Sequence, residues 1–153
     1  MQSVAQACSV PTHQCPTSRS ARIATWTLQI ITALILAQTL FFKFTGAPES
    51  IFIFSTLGVE PWGRIFAGVS ELIAVGLLIR SATAPLGAAM AIGIMVGAIG
   101  AHLTKLGIVV EDDGGLLFGL AVTVLVCSVS ILVLRRHQAI AMVKQALALV
   151  GKK

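Results

Sequence analysis

Tyrosine is absent and charge is scarce: 11% of the 153 residues are Asp, Glu, Lys or Arg, against 56% hydrophobic. A water-soluble domain carries about 25% charged residues, so a soluble globular fold is excluded and an integral membrane protein of one domain is expected. Acidic residues are the scarcer sign, six against eleven Lys and Arg, for a net charge of +5. The basic residues flank apolar runs and form no patch interleaved with aromatics, which excludes a nucleic-acid partner. The three cysteines, Cys8, Cys15 and Cys127, give no disulfide framework. No nucleotide, flavin, haem or iron–sulfur motif is present, so an oxidoreductase role would need a redox centre on another subunit.

What is present is a set of long apolar runs. Residues 1–22 are polar, rich in Ser, Thr and Gln, with Pro11 and Pro16. They are expected to form a mobile tail. Cys8, His13 and Cys15 fall short of a zinc ligand set, so free thiols and no metal are expected there. Four runs then reach the length needed to cross a hydrocarbon core of ~30 Å: Ile23 to Phe44, Pro61 to Ile79, Thr83 to Leu103 and Leu116 to Leu134. Pro61 and Pro85 suit first helical turns, where a missing N–H costs nothing. The fold expected is an all-α, integral membrane four-helix bundle over residues 23–134.

Between the first two spans, the I-F-I-F stretch at 51–54 is apolar but too short to cross, which fits an interfacial or re-entrant segment. Trp62 follows at an aromatic-belt position. Asp113 is placed to cap the fourth span, and Cys127 within that span reads as a packed apolar residue. Gly93, Gly97 and Ala101 recur every four residues and are expected to pack within the chain as a small-residue ridge. After Arg135 and Arg136, the tail 135–153 places Ile140, Val143, Leu147 and Val150 on one helical face, as in an amphipathic helix lying on an anionic leaflet.

Charge segregation orients the bundle. Arg19, Arg22, Arg80, Arg135, Arg136, Lys144, Lys152 and Lys153, eight of the eleven basic residues, fall on one side, and no acidic residue does. By the positive-inside rule both termini are cytoplasmic.

The stretch P-W-G-R-I-F-A-G-V-S-E-L-I-A-V-G-L-L at 61–78 is apolar, yet holds Arg64 and Glu71. Seven residues make almost two helical turns, so both charges share a face, ~10 Å apart along the axis. An ionisable residue in a span usually faces the bundle interior and marks a site. On the outer side the topology also places Lys43 and Gln38 of span one and His102 of span three. Lys43 either snorkels to the interface or turns inward to Glu71 or a bound anion. Side chains lean toward their helix N-terminus, which aims Glu71 at Arg64. The expected site is Glu71 as proton acceptor with Lys43, Arg64, His102 and Gln38 as ligand-binding groups.

Pro61, Arg64, Gly68, Glu71, Leu72, Gly76, Leu77 and Leu78, with F-F-K-F-T-G at 41–46, resemble the DoxX-like family of bacterial membrane proteins over about residues 26–134. The resemblance implies a four-helix bundle in the bacterial inner membrane, with Lys43, Arg64 and Glu71 as its polar core. It also implies a membrane subunit of a quinone- or sulfur-compound-linked oxidoreductase system, with a quinone as candidate cofactor. The partners expected are the lipid bilayer and a redox protein or a second copy. A non-catalytic scaffold with a structural polar core is the alternative. A solute carrier is disfavoured, since no inverted repeat is evident.

Overall fold

A computed structural model describes residues 19–150. Within them the chain is helical: α1 Arg19–Thr45, α2 Pro48–Leu57, α3 Trp62–Ile79, α4 Ala84–Ala101, α5 Leu116–Leu134 and α6 Arg136–Val150. A π-helical turn, His102–Leu106, extends α4. Cys8, His13 and Cys15 lie outside the described residues.

Helices α1, α3, α5 and α4 with its π-turn are long and apolar enough to cross a membrane. They pack as a closed ring in which α1 touches α3 and α5, and α4 touches the same two. The core is slim and built from Leu36, Ala74, Leu78, Ala88, Ala91, Met95, Val124 and Ile131. Many large apolar side chains point outward, including Leu34, Phe66, Val126 and Val133. In water this surface would collapse or aggregate; around a spanning bundle, lipid tails solvate it. Cys127 is buried, as expected of a packed apolar residue.

One boundary and one packing face differ from the expectation. The first helix starts at Arg19 and not at Ile23, because nothing between 19 and 23 breaks a helix. At 27 residues it is ~40 Å long, so its basic first turn extends beyond a hydrocarbon core. The I-F-I-F stretch, too short to cross, lies in the ten-residue α2, ended by Gly58 in the left-handed region (φ 77°). It packs on α1, α3 and the π-turn. Gly93 and Gly97 do not pack within the chain: a Cβ built on either meets nothing within 4 Å. The close approach between helices is instead at Gly87, where a Cβ would come within 2.8 Å of the Leu78 backbone N and 2.9 Å of the Leu77 Cβ. An arithmetic ridge of small residues does not say which way it faces; here the buried stripe of α4 runs through Gly87, Ala88, Ala91 and Met95.

Gly87→Val therefore drives branched carbons into α3 backbone and is expected to destabilise the bundle by about 2 kcal/mol, the range for overpacked cores. Gly97→Val is expected to leave it within ~0.5 kcal/mol. Chemical unfolding of both variants in detergent micelles checks the contrast.

Candidate functional site in the bundle interior

The buried face of α1 is unusually polar: Thr25, Gln29 and Thr32 share it with Leu36 and Leu40. Extended upward by helical spacing, this stripe reaches Thr39 and Lys43. Glu71 projects from α3 to meet it and is 3% exposed. Lys43 Nζ donates to both carboxylate oxygens of Glu71 at 3.0 Å, and Thr39 Oγ1 donates to Oε2 at 2.9 Å. The Lys43 side chain is 16% exposed against 4% for Glu71, so the ammonium lies nearer the rim and the carboxylate deeper. Gly68 makes the approach possible: a Cβ there would lie 3.2 Å from the Phe44 ring and 3.6 Å from the Lys43 Cβ. A pair held out of water needs this geometry, since the desolvation of each charge is offset only by close, hydrogen-bonded contact.

Arg64 is not the partner of Glu71. Its Nε and Nη2 both reach Glu60 Oε1 at 2.8 Å, and its Nη1 donates to the Lys43 carbonyl. The reason is the lean of helical side chains. Arg64 tilts toward the α3 N-terminus as Glu71 does, so the ~10 Å between their turns is not closed and Glu60, one turn away, is in reach. Lys43 belongs to the antiparallel α1, where the same lean carries it down to the depth of Glu71. Arg64 thus joins the site indirectly, by tying the end of α1, and Lys43 with it, to α3.

Gln38 and His102 are not brought to this pair as expected. Gln38 is exposed; five residues from Lys43 it lies far around the helix, whereas Thr39, four residues away, shares the Lys43 face. That spacing was the signal for Thr39. His102 is buried, but its Nδ1 lies 2.8 Å from the Gly107 carbonyl. A carbonyl only accepts, so Nδ1 carries the proton. Its own carbonyl accepts from the Gly107 N–H at 2.9 Å, and its ring meets Phe118 edge-on with centroids 5.7 Å apart. His102 locks the end of α4 to the following loop.

That loop is held by Asp113. Its Oδ1 accepts from the Val110 and Gly115 N–H groups at 2.9 and 2.8 Å, and its Oδ2 from the Leu117 N–H at 2.9 Å. The last bond caps the first turn of α5, as expected. These backbone donors, led by Leu117 and joined by the nearby His102, hold the carboxyl below the usual carboxylate range. A depressed folded-state pKa contributes stability above the unfolded value of about 3.9 that is lost as pH falls through the folded one. Acid unfolding below about pH 4 is therefore expected to be shallower in Asp113→Asn than in the parent chain, measured by thermal melts across that range.

At the opposite end of the bundle Arg135 organises a second polar cluster. With its amide oriented to satisfy both neighbours, Gln29 donates to the Leu78 carbonyl at 3.1 Å and accepts from Arg135 Nη2 at 3.0 Å and Nε at 3.3 Å. Arg135 Nη1 donates to the Ser81 carbonyl at 2.5 Å and to the Gln138 side-chain oxygen at 3.2 Å. Gln138 in turn donates to the Ser81 and Ala82 carbonyls, both at 2.9 Å. The Leu78 carbonyl at the end of α3 and the Ser81 and Ala82 carbonyls of the turn after it are thus met by two amides and a cation from α1, α6 and the α5–α6 junction, and the partial negative charge of the helix end favours the cation nearby. Sequence reading placed none of these residues in a site.

The chain matches no protein-family model, no curated protein and no solved structure.

Proposed function

We propose that this chain is a DoxX-like subunit of a membrane oxidoreductase system, with both termini on the cytoplasmic face of a bacterial inner membrane. The observation that carries the reading is the Lys43–Glu71–Thr39 constellation inside an apolar bundle, because membrane-embedded ion pairs are rare and mark sites. Support for the orientation comes from the basic residues of the α1 start, the α3–α4 turn and α6, which share the end opposite the acidic loops. The exposed Ile140, Val143 and Leu147 of α6 suit a helix lying on that leaflet.

In this reading Lys43, the more exposed partner, offers its third N–H to an oxygen of a quinone or of a small sulfur oxyanion. Glu71 takes up a proton and passes it through the Lys43 ammonium to the quinone oxygen as the quinone is reduced, and the electrons come from a redox centre on a partner subunit. Glu71→Gln, nearly isosteric, is then expected to leave the fold intact and abolish quinone reduction by the isolated complex. Parent-level turnover in that variant would remove Glu71 from the chemistry.

One observation favours a second reading, a scaffold with a structural polar core: both Glu71 oxygens are already engaged by Lys43 and Thr39. In that case Glu71→Gln leaves turnover unchanged, while Lys43→Met lowers recovery of the assembled complex.

A further inference from the structure

At the end of the bundle away from Lys43 and Glu71, a cavity of about 370 Å³ opens between the first turns of α1, the α3–α4 turn and the α5–α6 junction. Arg22 and Arg135 supply its charge, Ser81 and Gln138 its polar wall, and Trp26 and Leu134 its apolar side. We propose that this cavity binds a phosphate-bearing anion, and that the headgroup of an anionic glycerophospholipid is its natural form.

Three observations converge on this class. The first is uncompensated charge. All six acidic residues of the chain lie at positions 49–113, namely Glu49, Glu60, Glu71, Glu111, Asp112 and Asp113. Glu71 is taken by Lys43 and Glu60 by Arg64. The partners of Arg135 are the neutral oxygens of Gln29, Ser81 and Gln138. They take four of its five N–H groups but leave its charge without a counterion among the described residues in a partly buried position, and burial pulls the guanidinium below its ordinary value. A partly buried cation with no anion is a costly arrangement that a bound anion relieves.

The second is donor geometry. Guanidinium groups present forked N–H pairs that match phosphate oxygens. Here the open fork is that of Arg22, exposed on α1 and able to close over a ligand, while Arg135, held in the cavity wall by its neutral partners, adds its charge and the one Nη2 N–H they leave free. The third is the shape of the rim. Trp26 is 39% exposed and Leu134 42% exposed, so the cavity runs out onto the lipid-facing surfaces of α1 and α5, where acyl chains would lie. A Trp at this depth also suits the headgroup level of a bilayer. The volume lies within the ~300–1,000 Å³ of small-molecule sites and exceeds what a bare phosphate needs, which favours the esterified headgroup.

The chain has two tryptophans, and Trp62 is 77% exposed at the far end, so Trp62→Phe leaves Trp26 as the sole reporter without disturbing the core. The full chain with this substitution, in neutral detergent micelles, is titrated with dihexanoylphosphatidylglycerol, dihexanoylphosphatidylcholine and inorganic phosphate. The expected result is a saturable change in Trp26 emission with the phosphatidylglycerol, weakened roughly fivefold by Arg22→Gln, the scale of one basic residue at an anionic lipid surface. Arg80→Gln, which removes the same charge from the same end but lies outside the cavity, is expected to change it less than twofold.

Saturation by inorganic phosphate as well assigns the site to free phosphate species along with lipid; saturation by the phosphatidylglycerol alone assigns it to the lipid headgroup. Equal responses to the two lipids, equal effects of Arg22→Gln and Arg80→Gln, or no saturable change with either anionic probe would each overturn the proposal.

Discussion

Lys43→Met is expected to destabilise the bundle by about 3–5 kcal/mol, the cost of leaving a buried charge without its partner. The charge left behind is Glu71, whose side chain is 4% exposed in mid-helix α3. It cannot reach water, and the one remaining donor is the Thr39 hydroxyl. The reverse variant, Glu71→Leu, should cost about 1–2 kcal/mol. Lys43 lies two residues from the end of α1, and its long stem can swing the ammonium to the interface. The double variant Lys43→Met/Glu71→Leu should come back to within about 1 kcal/mol of the parent chain, since apolar replacement of a whole buried pair is often neutral. Chemical unfolding in micelles ranks the three. The order, with the lysine variant worst and the double variant near the parent, distinguishes a buried pair from an interfacial lysine, for which Lys43→Met would be mild.

Arg135→Met is the second large effect, expected at about 2–3 kcal/mol, the range for losing a charge-assisted hydrogen bond and leaving its buried partner unsatisfied. Its partners will not suffer equally. The Ser81 carbonyl is on an exposed turn, where water replaces the lost donor. Gln29 is 2% exposed, and its oxygen has no substitute for the guanidinium. Arg135→Lys should recover little, because one ammonium cannot span Gln29 and Ser81 as the planar fork does. Adding Gln29→Leu to Arg135→Met should recover about half of the loss by removing the stranded amide. The same unfolding experiment, run as a double-mutant cycle on Gln29 and Arg135, gives the coupling.

The four spans, the tilt of charge toward one end and the Asp113 cap were legible in the sequence because each rests on a local rule: run length, charge count, and a carboxylate ahead of a helix. The pairing of charges was not. Arg64 and Glu71 share a face of α3, and spacing within one helix suggested that they meet. The partners they have depend on which neighbouring helix runs antiparallel and at what depth its side chains arrive. Glu60 for Arg64 was recoverable from the one-turn spacing, and Thr39 from its place four residues before Lys43. Nothing local pairs Lys43 with Glu71, 28 residues apart, over any other inward group. The Gly93–Gly97 ridge failed for the related reason that small residues mark where helices can approach, and the packing of α4 chose Gly87 instead. Gln29 and Arg135 were hidden because an interrupting Gln and a flanking Arg are ordinary features of a span and its end.

The central claim is that the Lys43–Glu71 pair forms a ligand site and not only a clasp. The most direct measurement is native mass spectrometry of the gently solubilised chain beside the Lys43→Met/Glu71→Leu double variant, which keeps the fold while deleting the charges. A small molecule released from the parent chain and missing from the folded double variant is the expected result, and its mass names the ligand class. The same adducts on both chains, or none on either, would contradict it and leave the pair a structural element of the bundle.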